Sequence, residues 1–194
     1  METLGAAVQR HRFDTTEYHR MAESGILSED ARVELVDGEV VEMSPIGSKH
    51  QAVVNRLNRL LMGFAAGDYI VSPQGPVKLD EHNEPQPDLA LLGFREDFYE
   101  QEHPGPGDAL LLIEVSDSSL EYDRSVKLPL YAGSGIPEVW IVDLAAGEVE
   151  SHSGPRSGSP NGGYGTRKRY NRDEEVVSQT VSGLSLAVEG MLGG

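Results

Sequence analysis

Two runs, Leu110-Leu-Leu-Ile-Glu-Val115 and Glu138-Val-Trp-Ile-Val-Asp143, constrain this chain most. Each is short, apolar and without the period-two alternation of a strand that keeps one face in water, so each reads as a strand covered on both faces. Such strands need helices on both sides of their sheet, which makes the fold class mixed α/β. Tyr69–Pro73, Val77–Asp80 and Pro87–Leu92 are further apolar runs punctuated by Pro and Gly, and they read as strands of the same kind.

Around this core the pattern changes period. Thr15 to Gly25 reads as a short amphipathic helix, with threonine at its start, glycine at its end, and Tyr18 and Met21 turned to the core. Arg32 to Met43 places Asp37-Gly38 between two β-favouring runs, the residue pair of a two-residue type I′ turn, and predicts a β-hairpin. Ser48 and Gln51 fit a capping box, and Val53, Val54, Leu57, Leu60, Leu61 and Phe64 then recur at helical spacing. His50 falls on that stripe at the helix entrance and points inward, toward the sheet.

Leu120 to Gly133 is helix-like, kinked or shortened where Pro129 removes a backbone donor. Residues 151–165 are rich in Gly, Ser and Pro and predict an exposed loop, with strands over 166–190 after it. The 194 residues are expected to form one domain, with its core at about 14–145. No repeat of solenoid period is present.

The 16 Lys and Arg stand against 32 Asp and Glu, a net charge of −16, which argues against broad attraction to phosphate backbones and leaves room only for local basic contacts. Absence of cysteine excludes disulfides, thiolate metal ligation and a cysteine nucleophile. No window is apolar enough to span a bilayer, and Met1-Glu-Thr-Leu-Gly lacks the basic and apolar regions of a signal peptide, so the expected compartment is the cytoplasm.

Acidic residues are common here, so the informative ones lie where charge is expensive. Glu114 sits within an apolar strand and Asp88 begins another, and each loses solvation unless a cation or donors meet it. Two carboxylates on neighbouring strands suit Mg²⁺, which takes hard oxygens, and the backbone carbonyl of Val115 would add another. Lys127, four residues after Asp123 and four before Tyr131, lies on one side of a helix with them and would orient a water or neutralise transition-state charge.

Each residue also has a plainer reading. Glu114 would pair with an arginine at a strand end, and Asp88 would cap a turn after proline. Asp123 and Lys127 would form an exposed salt bridge worth tenths of a kcal/mol. His50 would donate to a backbone carbonyl, while Glu34 and Glu39 would be the solvated face of the hairpin. His11, His19, His82, His103 and His152 lie in polar or proline-rich surroundings, lack metal-ligand spacing and are given no role.

The ordered series Pro87-Asp88, Ile113-Glu114-Val115-Ser116, Asp123-Arg-Ser-Val-Lys127 with Tyr131, and Ile136-Pro-Glu-Val-Trp-Ile-Val-Asp143 resembles the Uma-type restriction endonuclease family of the PD-(D/E)xK nuclease superfamily. Arg32-Val-Glu-Leu-Val-Asp-Gly-Glu and the helix entrance Ser48-Lys-His50 extend the similarity over residues 14 to 145. The resemblance implies a restriction-endonuclease-like core, a mixed sheet flanked by helices, that hydrolyses phosphodiester bonds in DNA with Mg²⁺ or Mn²⁺. It implies Asp88 and Glu114 as the motif acids, with His50 or Glu34 contributing on the metal side. Ser116 stands where the superfamily pattern has lysine, and Lys127 looks like its migrated replacement.

A homodimer, with two sites for two strands, is the expectation by analogy. Arg167-Lys-Arg-Tyr-Asn-Arg172 reads either as a phosphate-contacting segment or as a basic edge strand. Two other functions stay open: a catalytically inactive nuclease-fold module that binds a basic protein partner, and an enzyme acting on a small phosphorylated substrate.

Overall fold

A computed structural model describes residues 10–28, 30–65, 67–156 and 163–193. Its centre is a six-stranded sheet in the order β3-β4-β5-β6-β7-β8, formed by β3 (Tyr69–Pro73), β4 (Leu89–Gly93), β5 (Ala109–Ser116), β6 (Glu138–Asp143), β7 (Glu148–Pro155) and β8 (Tyr164–Tyr170). Only β5 and β6 run parallel, so the sheet is mixed. The predicted class is therefore the observed one. The two runs without alternation became β5 and β6, the inner parallel pair, where no residue from Leu111 to Ser116 or from Glu138 to Asp143 is exposed.

One core lies on each face of the sheet. On the first, α2 (Ser48–Ala65) buries Val53, Val54, Leu57 and Leu61 against Leu89, Leu111, Ile113 and Trp140. A terminal helix, α5 (Val188–Leu192), adds Val188 and Met191 to the same core, and Arg56 of α2 ties it by donating to the Leu192 carbonyl at 2.9 Å. Residues 166–190 thus hold more than strands: β9 (Glu175–Val177) and β10 (Ser185–Ala187) form a separate two-stranded ladder before α5. On the second face, Tyr131 and Ile136 pack with Leu112, Val139 and Ile141.

The connection from β5 to β6 supplies that second face. It runs through α3 (Leu120–Tyr122), one π-helical turn at Asp123–Lys127, and α4 (Leu128–Gly133), with Pro129 in the first turn of α4. The Leu128 amide donates to the Asp123 carbonyl, five residues back. Pro129 has no N–H to give and its ring crowds the preceding turn, so the widened turn falls immediately before it. The predicted kink is realised as a π turn rather than a bend.

The hairpin of β1 (Val33–Val36) and β2 (Glu39–Glu42) has the predicted turn, with Asp37 at φ 52° and Gly38 at φ 72°. Helix α1 (Thr15–Glu23) is capped by Asp14 instead of Thr15, in a reciprocal capping box with Glu17. Tyr18 is buried and Met21 only partly so. At α2 Ser48 is the first helical residue rather than the cap, the Gln51 amide donating to the Gly47 carbonyl at 3.0 Å, while Gln51 Nε2 donates to Asn55 Oδ1 at 3.1 Å.

Two further expectations are corrected. Val77–Asp80 does not join the sheet; Val77 and Leu79 are buried, but the segment turns back at an isolated Asp80–Asn83 bridge. Residues 151–155 are strand, not loop: Ser151, His152 and Ser153 are buried within β7, whose ladder with β8 outweighs the turn-prone composition. Of the predicted loop, 157–162 fall outside the described residues.

Candidate functional site

Asp88 immediately precedes β4, and Glu114 lies on the neighbouring strand β5, where Leu89 pairs with Ile113. That register brings the two acids to the same end of two adjacent strands. Asp88 Oδ2 accepts the Val115 amide at 2.9 Å and meets His50 Nε2 at 3.1 Å. Because the N–H and C=O of a strand residue leave by the same edge, the Val115 carbonyl belongs to the edge of β5 that faces Asp88.

Glu114 Oε1 accepts from the Tyr131 hydroxyl at 2.6 Å and from Lys127 Nζ at 3.1 Å. The same ammonium lies 3.1 Å from Glu34 Oε2, which also accepts the Gln86 amide at 3.0 Å. Tyr122 donates to the other oxygen of Glu34 at 3.3 Å. Asp123 stands beside them, with Oδ2 accepting from the Ser116 and Ser119 hydroxyls at 2.7 Å each. The position two residues after Glu114 is thus occupied by a hydroxyl that anchors the π turn carrying Lys127.

Several plain readings fail here. Glu34 and Lys127 are only 2% and 3% exposed, so neither a solvated hairpin face nor a surface salt bridge describes them. Glu114 pairs with a lysine and a tyrosine rather than an arginine, and His50 pairs with Asp88 rather than a backbone carbonyl. Glu39, by contrast, is exposed.

Charge in this cluster is unbalanced. Glu34, Asp88, Glu114 and Asp123 face one ammonium and one imidazole. Burial, with Asp123 and Asp88 nearby, pushes the Glu114 carboxyl up to about 8 despite Lys127. Burial and Asp88 likewise push Asp123 up. For Lys127 burial acts against the charged form, yet Glu114, Glu34 and Asp123 outweigh it and hold the ammonium above its usual range. The hydrogen bond to Asp88 raises His50. Two buried acids held above the ordinary carboxylate range mark a place with too little positive charge.

These side chains line a cleft of about 250 Å³ whose outer wall is Arg32 and the Val41–Gly47 segment. Asp88 Oδ1 and Glu114 Oε2 accept no hydrogen bond among the described residues. Carboxylate oxygens without donors, from two residues that line one acidic cleft, are the kind of ligand a small divalent cation takes. Carboxylate and carbonyl oxygens are the donor chemistry that suits Mg²⁺ or Mn²⁺.

The five side chains expected to do chemistry, Asp88, Glu114, Lys127, His50 and Glu34, all line this one cleft. Tyr122, Gln86, Ser116 and Ser119 were not anticipated; the hydroxyls of Ser116 and Ser119 signal nothing in sequence until the π turn brings Asp123 to them. The histidines given no role divide. His152 is buried on β7 beside Glu150, and burial lowers it. His19 and His103 converge with Glu84, outside the cleft.

A family model described as Uma2, "Putative restriction endonuclease", matches residues 15–189. Among solved structures, the chain is similar to one described as a "putative nuclease belonging to DUF820" from Anabaena variabilis, with a TM-score of 0.70 over 93% of this chain and 97% of that one. Identity to that structure is 13%, so the likeness is one of fold. A search of curated proteins returns no match.

Proposed function

The chain belongs to the Uma2 restriction endonuclease family, and from that premise we propose that it is a metal-dependent endonuclease hydrolysing phosphodiester bonds in DNA at the Asp88–Glu114 cleft. The observation that carries this reading is the pair of donor-free oxygens, Asp88 Oδ1 and Glu114 Oε2, beside a buried lysine in a cleft with excess negative charge. Asp88 and Glu114 would hold Mg²⁺ or Mn²⁺, with the Val115 carbonyl as a third oxygen. Such an ion, when bound, supplies Lewis-acid polarisation of a phosphoryl oxygen and a bound water of lowered pKa.

The chain's own groups do the remaining work. Lys127, kept charged by three carboxylates, carries a proton-bearing Nζ at 3.1 Å from the metal-side acid, where it orients the attacking water and balances charge that develops on the phosphate. Tyr131 holds Glu114 by one oxygen and leaves the other without a donor, so that it could serve as a ligand to such an ion. His50 fixes Asp88 in the same manner. Glu34 positions Lys127 through the second 3.1 Å contact.

The charge conflict with DNA is met locally. Arg32 lies at the cleft wall, whereas Arg167 and Arg169 of the edge strand β8 are engaged with Glu150 and Glu148. A pair of copies presenting two clefts to two strands is part of the same proposal. Among the described residues no helix is long and apolar enough to cross a membrane.

Incubation of the purified chain with plasmid and with single-stranded DNA, with Mn²⁺, Mg²⁺ or EDTA, tests this. Cleavage that needs the ion and falls at least about 100-fold in both Glu114→Gln and Lys127→Ala supports it. Cleavage equal in all three proteins indicates a contaminant. Ion binding without cleavage favours the alternative, an inactive module for a basic protein partner.

A further inference from the structure

Glu84 is buried, yet its Oε2 has no hydrogen-bond partner among the described residues. A buried carboxylate oxygen left unpaired costs free energy, and few buried polar atoms in folded proteins stay that way. Its other oxygen lies 2.8 Å from His19 Nε2, and the His103 ring meets His19 edge-on at a centroid distance of 6.0 Å. One ligand atom from each of the three residues lies within 4.8 Å of the other two. None of the three lines the Asp88 cleft.

From this geometry we infer a second metal site, His19–Glu84–His103, for a zinc-class ion. Two imidazoles and one carboxylate form a ligand set for Zn²⁺ and its borderline neighbours, whereas Mg²⁺ prefers oxygen alone. The ion replaces the direct His19–Glu84 contact and supplies the missing partner for the buried oxygen. Both imidazoles bind as neutral rings and Glu84 as carboxylate. His103 is exposed, so the ion enters from solvent and a water completes the tetrahedron.

The site joins three distant stretches: α1 through His19, the segment before Asp88 through Glu84, and the β4–β5 connection through His103. Glu84 is itself paired to the hairpin, its amide donating to the Leu35 carbonyl at 2.8 Å. Two residues on, the Gln86 amide holds Glu34. A bound ion therefore fixes the backbone that places Glu34 against Lys127, a stabilising and positioning role that holds whether or not the cleft is a nuclease centre.

The test uses the full chain carrying Asp88→Asn and Glu114→Gln, which removes the two cleft carboxylates proposed to hold an ion. Zn²⁺ is titrated calorimetrically and Co²⁺ spectroscopically, with circular dichroism to confirm folding. The expected result is one Zn²⁺ per chain, visible Co²⁺ bands of tetrahedral form, and a Zn²⁺-dependent rise in Tm. His103→Ala, a change at an exposed side chain, then weakens Zn²⁺ binding at least about 100-fold and abolishes the Tm response. His103→Gln serves as the second variant should His103→Ala misfold. Zn²⁺ binding of equal strength in the folded His103 variants, or no Zn²⁺ bound once the cleft acids are replaced, overturns the proposal.

Discussion

Lys127 Nζ lies 3.1 Å from Glu114 Oε1, across a sheet-to-helix crossover of thirteen residues. Both groups are buried, and Glu34 meets the same ammonium from a hairpin on the other side. Removing the lysine leaves two acids without their cation. Lys127→Met is expected to cost about 3–5 kcal/mol in urea unfolding, because the buried Glu34 loses its ammonium partner and Glu114 loses a donor. Adding Glu34→Gln to that variant is expected to recover part of the loss, since the two changes are coupled through one contact.

Metal affinity is expected to depend on pH through Glu114. Its carboxyl, pushed up to about 8 by burial and by Asp123 and Asp88, holds a proton at neutral pH in the metal-free protein. An ion must displace that proton, so Mg²⁺ affinity rises about tenfold per pH unit up to about pH 8 and then levels. Calorimetry in buffers of different ionisation enthalpy measures the released proton. In metal-free protein the stability that Glu114 contributes is full below pH 4.5, its unfolded value, and is lost as pH rises through about 8.

Glu150, which does not line the cleft, gives the opposite pH dependence. Although it is buried, hydrogen bonds from Arg167 and Arg124, with His152 beside it, hold it down at about 2. Its contribution is present above pH 4.5, the unfolded value, and fades as pH falls toward 2. Glu150→Gln is therefore expected to lower Tm at pH 7, with the gap from the parent closing as the pH falls through that window.

The hairpin turn is a fourth handle, independent of charge. A Cβ at Gly38 would sit 2.6 Å from Arg12 Cβ, and the residue has φ 72°. Gly38→Ala is expected to cost about 1–3 kcal/mol in chemical denaturation, through left-handed backbone strain and this contact. The same substitution at Gly63, which meets nothing within 4 Å in α2, is expected to be neutral or stabilising.

What could be read from sequence was what depends on local periodicity. Buried strands betrayed themselves by lacking alternation, and Asp37-Gly38 by its turn chemistry, since both signals are contained within a few residues. Asp123, Lys127 and Tyr131 were legible as one face because four-residue spacing survives the π turn. For Glu34 the alternation of the hairpin pointed only to a solvated face, and the resemblance alone implied a site role, because its partners, Lys127 and Gln86, come from elsewhere in the chain. His19, Glu84 and His103 carry no spacing signal at all; only the packing of α1 against the segment before β4 joins them. The strand at 151–155 was hidden by composition, because its pairing with β8 is set by the sheet and not by its own residues.

Asp88 and Glu114 are proposed to share one divalent ion. Crystals of the chain soaked in Mn²⁺ and measured at a wavelength where manganese scatters anomalously address it directly. The expected result is a single strong peak within about 2.0–2.3 Å of oxygens from both residues, absent in Glu114→Gln crystals treated alike. A fully occupied Mn²⁺ elsewhere, with Asp88 and Glu114 still bound only to His50, Val115, Tyr131 and Lys127, would contradict it.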